Sequence, residues 1–125
     1  MKKIISTDKA PKAIGPYNQA VDTGDLVFVA GQVPIDPAEG KITSSDVSGQ
    51  TRQVLENVKA ILTAADLDLN NVVKATVFLQ SMGDFNAMNN VYAQYFEKDP
   101  PARATVEVGG LPLGALVEIE VIARR

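Results

Sequence analysis

The 125-residue sequence predicts one α+β domain, residues 1–125, in which a mixed sheet of five to six short strands carries two helices on one face. Three observations predict it. Short segments alternate apolar and polar residues at the strand period, and two longer stretches repeat apolar residues at spacings of three and four. No internal repeat, low-complexity tract or linker divides the chain.

The elements follow in order. Ile4 and Ile5 begin an edge strand, and Pro11, Gly15 and Pro16 punctuate a loop that delivers Tyr17 into a strand running to about Asp22. After the Thr23-Gly24 turn, Leu26 to Ala30 is a continuous apolar run, which in a strand requires cover on both faces. Pro34 to Gly40 reads as loop. From about Asp46 to Asp66, Val54, Leu55, Val58, Ile61, Leu62 and Ala65 form the stripe of an amphipathic helix, with Ser44, Ser45 or Asp46 available as its cap. Asn70-Asn71 marks a turn before a strand over Val72 to Gln80, with Val73, Ala75, Val77 and Leu79 on its apolar side. Asp84 is placed to cap a second helix with the stripe Phe85, Met88, Val91, Tyr92, Tyr95 and Phe96, which Pro100-Pro101 ends. Residues 101–121 then read as a closing hairpin of two alternating strands around a Gly/Pro turn. Two helices cover one face of such a sheet, whereas Leu26 to Ala30 needs two faces covered. A further copy of the same chain is the economical cover, so the sequence predicts a homo-oligomer without fixing its order.

Composition narrows the chemistry. With 46% apolar and 22% charged residues the chain can bury a core and stay soluble, and the absence of histidine and cysteine removes thiolate chemistry, disulfides and the usual zinc ligands. A net charge of −3 offers no attractive field to a phosphate backbone, so no nucleic-acid partner is expected. Ile4-Ile5 is far short of a signal-peptide core and no segment approaches a membrane span, which points to the cytoplasm. The remaining candidates are Arg103 and Glu118 in the closing hairpin. If the apolar sets Ala104, Val106, Val108 and Val117, Ile119, Val121 both face the helices, Arg103 and Glu118 both project to the opposite, inter-subunit side. A guanidinium suits a carboxylate, and a nearby glutamate suits water or a proton. An interface ion pair is the alternative reading of the same two residues. Taken singly, Tyr17 reads as an amphipathic interface residue, Phe85 as core packing, Asn89 as solvated helix face, and Gly31 as a strand end.

Several separated motifs nevertheless agree in order and spacing: Gly15-Pro16-Tyr17, Gly31-Gln32, Gln50-Thr51-Arg52-Gln53, Asn57-Val58, Pro101-Ala102-Arg103, Leu111-Pro112 and Val117-Glu118-Ile119-Glu120. On these the chain resembles the Rid/YjgF family, in its reactive-intermediate deaminase A branch. The resemblance implies a chorismate-mutase-like homotrimer with clefts between subunits. It also implies hydrolysis of 2-aminoacrylate and 2-iminobutanoate to 2-keto acids, with no metal or organic cofactor. By the same resemblance Arg103 grips the substrate carboxylate, Glu118 holds the attacking water, and Tyr17 lines the cleft. Gly31 and Thr105 contact substrate through their backbones, and Phe85 and Asn89 come from the neighbouring subunit. The family often has a hydroxyl residue where this chain has Ala30, and cysteine where it has Thr105.

Overall fold

A computed structural model describes residues 2–125. Strands β1 (Lys3–Ile5), β2 (Ala20–Asp22) and β3 (Leu26–Gln32) form an antiparallel meander, followed by a separate small hairpin of β4 (Ile35–Asp36) and β5 (Lys41–Ile42). Helix α1 (Val47–Ala64), strand β6 (Val72–Leu79), helix α2 (Phe85–Tyr95), strand β7 (Ala102–Glu107) and strand β8 (Val117–Arg124) complete the chain. The main sheet has six strands in the order β1-β2-β3-β8-β6-β7, antiparallel except for the β6–β7 pair. That parallel pair needs a crossover, and α2 is it.

Helix α1 starts where the Asp46 carboxylate accepts the Gly49 N–H at 2.7 Å, one of the donors a helix start leaves free. Its stripe of Val54, Leu55, Val58, Ile61 and Leu62 is fully buried against the sheet and α2. Each such side chain stabilises the fold by about 1.5–3 kcal/mol relative to exposure. Both helices lie on one face, as expected.

The closing strands depart from the sequence expectation. β7 and β8 are not a hairpin: β6 lies between them, parallel to one and antiparallel to the other. Chain proximity suggested a direct pair, but the 3-10 turn at Pro112–Gly114 belongs to a long connection that carries β8 past β6. Four smaller differences have local causes. Tyr17 follows a bend at Gly15 and Pro16 and lies outside β2, with its N–H held by the Gly15 carbonyl at 2.8 Å. Residues 34–40 are not wholly loop, because Ile35 and Asp36 pair with Ile42 and Lys41. A register shift between Val72 and Lys74 buries Val72 and turns Val73 outward, which breaks the simple alternation. Asp84 makes no side-chain cap; Ser81 instead accepts the Gly83 N–H and starts a 3-10 turn leading into α2, which stops at Tyr95, well before Pro100.

In-register partners share a face of the sheet. Ile5, Ala20, Val29, Val121 and Ala75 form one such row and are all buried beneath the helices. On the other face the row Ile4, Val21, Phe28, Ile122 has no covering layer, leaving Phe28 43% exposed and Ile4 46% exposed. A single chain leaves the outer side of the apolar strand run without cover.

Candidate active site

Arg103 lies opposite Ala75, which faces the helices, so the guanidinium leaves edge strand β7 on the helix side. There its Cζ stands 5.6 Å from the Phe85 ring centroid and 4.7 Å from that of Tyr92. Among the described residues the one ion pair joins Arg125 to Asp22, so Arg103 has no carboxylate partner. It shares a crevice of about 330 Å³ with Asn89, Tyr92, Phe96 and Pro101. Thr105 follows on the same side, in register with buried Val77, and its hydroxyl is buried without a hydrogen-bond partner. A partly buried cation without a counter-ion, next to polar groups left unsatisfied, is suited to receive a small anion.

Glu118 occupies the other side of the sheet. It pairs with Phe78, which pairs in turn with Val106, and all three belong to the uncovered face. Burial raises the Glu118 pKa above its ordinary value, and the Glu120 carboxylate adds to the shift. Gly31 makes room for it: a Cβ there would overlap Oε2 of Glu118 and lie 3.0 Å from Cδ. The register of β3 against β8 shifts between Val29 and Gln32, the segment that holds Gly31. Tyr17 lines a small crevice with Gly31, Lys12 and Val33, its hydroxyl accepting the Ile14 N–H at 3.2 Å.

The seven candidate residues therefore fall into two groups. Arg103, Thr105, Phe85 and Asn89 lie on the helix side, while Glu118, Gly31 and Tyr17 gather on the open side. The expectation that Arg103 and Glu118 project to the same face fails, because the small apolar residues of β7 face outward and its polar ones face α2. Phe85 and Asn89 accordingly accompany Arg103 within one chain, rather than joining it from a neighbour. The sequence pattern places Tyr92 only in the apolar stripe of α2. Its spacing of seven from Phe85 placed both rings on one helix face, but nothing in sequence placed Arg103 over them.

The family described as Endoribonuclease L-PSP matches residues 7–125. The chain belongs to the YjgF/Rid family. Its six-stranded sheet with two helices is the chorismate-mutase-like fold of Rid proteins. A RutC family protein of Pyrococcus horikoshii is 57% identical to this Rid chain over 98% of both lengths. The Bos taurus protein named 2-iminobutanoate/2-iminopropanoate deaminase is 50% identical, covering 98% of this chain and 90% of its own. Among solved structures, E. coli TdcF with bound serine superposes with a TM-score of 0.95 at 48% identity over 98% of each chain. No helix among the described residues is long and apolar enough to cross a membrane.

Proposed function

We propose that this Rid protein hydrolyses short 2-enamino and 2-imino acids to 2-keto acids and ammonia, at clefts between the subunits of a homotrimer. The observation that carries the reading is the placement of an unpaired Arg103 and a half-buried Glu118 on opposite faces of one sheet. Neither can reach the other within a chain, so the uncovered face of one copy meets the α2–β7 side of the next. The name of the bovine relative and the serine held by TdcF agree with a small substrate bearing a carboxylate and a nitrogen on C2.

Arg103 binds the substrate carboxylate through its planar fork, leaving the C=N carbon exposed to the partner's carboxyl group. Glu118 takes a proton from water as the oxygen bonds to C2, and the imine nitrogen gains a proton to give a carbinolamine. The C–N bond then breaks as the new hydroxyl loses its proton, ammonia leaves, and the 2-keto acid remains. An enamine substrate first takes a proton at C3. Such imines hydrolyse readily unaided, so an acid-base contribution of roughly 10²- to 10⁴-fold plus orientation suffices.

Arg103→Ala and Glu118→Gln should each abolish acceleration of 2-keto acid formation from 2-iminobutanoate generated in situ, while the oligomer persists. Mixing the two inactive variants before reassembly tests the split site. In a ring each Arg103 faces the next copy's Glu118, so random mixing restores about a quarter of wild-type activity. Restoration of none would place both residues in one chain's site and overturn the proposal. If Arg103→Ala instead dissociated the oligomer, the interface ion pair would be the better reading. The serine bound to TdcF also suits a carboxylate-binding or chaperone-like trimer without turnover. That reading needs Arg103 alone, so loss of turnover with retained keto-acid binding in Glu118→Gln argues against it.

A further inference from the structure

We infer that Tyr92 is a positioning residue for Arg103, its ring face holding the guanidinium where the substrate carboxylate is to meet it. The inference rests on Arg103 as carboxylate anchor. Arg103 stands on the outermost strand, so no further strand packs against its outer side, and it has no carboxylate partner. A long side chain in that position would sample many rotamers. Its closest aromatic platform is Tyr92, at 4.7 Å, well inside the distance over which a ring face attracts a cation.

The platform itself is fixed. Tyr92 is 5% exposed, and its ring centroid lies 4.7 Å from that of Phe96 with the planes tilted by 37°. It belongs to the same buried cluster as Met88 and Leu55. A ring also does what a carboxylate in its place would not: it orients the guanidinium without neutralising it, so the full positive charge and the free N–H donors remain for the substrate. Phe85, at 5.6 Å, adds a second, more distant ring. The Tyr92 hydroxyl makes no hydrogen bond of regular geometry; burial raises its pKa and the adjacent Arg103 opposes the rise, so removing the oxygen alone separates its contribution from that of the ring face.

The test replaces the ring electronics without changing its size. Tyr92→Phe should keep KM for 2-iminobutanoate and Kd for 2-oxobutanoate within about twofold, since the ring face survives. Tyr92→Leu, and incorporation of pentafluorophenylalanine at position 92, should raise both constants about 3- to 30-fold while kcat changes little. The fluorinated ring matters because it fills the same space; should the leucine variant fail to fold, it still decides. Unchanged KM and Kd in the fluorinated protein would overturn the inference, as would a Tyr92→Phe loss as large as that of leucine. Arg103→Ala separates the two levels. If that variant binds 2-oxobutanoate as wild type does, the anchor reading fails and takes this inference with it; if it loses binding while the fluorinated protein does not, only the role of Tyr92 falls.

Discussion

At the scale of single residues, Gly31 and Glu118 depend on each other. A methyl group at position 31 meets only the flexible end of the Glu118 side chain, so Gly31→Ala should swing the carboxyl group aside rather than unfold the strand. On the proposed mechanism kcat for imine hydrolysis should fall about 10- to 100-fold with little change in melting temperature, because a displaced Glu118 would lose most of its acid-base contribution. Kinetics beside a thermal melt check it, and a variant that melts early would show a packing role instead. The Glu118 pKa has a second consequence. Burial favours its neutral form, so its folded pKa lies above the ordinary 4.5 and it binds more protons folded than unfolded. Its contribution to stability is therefore most favourable below 4.5 and is lost as pH rises through the raised value. Glu118→Gln should thus melt higher than wild type at neutral pH, with the gap closing in acid, while the acid limb of wild-type kcat/KM lies above the usual glutamate range. The sequence singles out Arg103 and Glu118 as candidates, since a chain without histidine or cysteine leaves few groups able to do such chemistry. The side to which Arg103 points was not legible there. Ala102, Ala104 and Val106 look like a core face, yet on an edge strand they lie outward and Arg103 and Thr105 turn toward α2.

Among the elements, α1 was the most legible, because its three- and four-residue spacing and Asp46 cap are local signals. Its polar positions hid more. Asn57 is 1% exposed and donates through Nδ2 to the carbonyls of Val33 and Ile35, at 3.2 and 3.0 Å, fastening the strand end beyond Gly31 to the helix. Gln50 likewise joins distant segments, donating to the Ser44 carbonyl and accepting the Leu116 N–H just before β8. Gln19 gathers the carbonyls of Thr7, Ala10 and Pro11 through one amide and fixes the loop that leads to Tyr17. On a helical wheel or in a strand such residues are indistinguishable from solvated ones, since their partners are remote in sequence. Asn57→Ala should cost about 1–2 kcal/mol, measured by urea denaturation, because the two amide bonds are lost while the Val33 carbonyl keeps the Ile35 N–H at 2.8 Å. A cost below about 0.5 kcal/mol would mean that water replaces the amide. The order of the last three strands was illegible for a related reason: β6 enters between β7 and β8, and no local pattern encodes which strand takes the middle.

For the whole molecule, the uncovered sheet face was foreseeable from Leu26 to Ala30, and the structure leaves Phe28, Ile4 and Val106 partly in solvent there. Phe28→Asp introduces a charge at a position that is exposed in the single chain. It should therefore leave the fold intact, lower the mass measured by sedimentation to that of one chain, and remove activity. Full activity in a monomeric Phe28→Asp protein would mean that a single copy is sufficient. In the proposed assembly, the back-to-back arrangement of Arg103 and Glu118 would also impose a polarity. A two-fold pair presents the same patch from both partners, so a patch confined to one side of the sheet would bring guanidinium to guanidinium or carboxyl to carboxyl, never one to the other. Only a circular, nose-to-tail order lets every copy lend one group forward and borrow the other from behind, and a closed circle of that kind begins at three members.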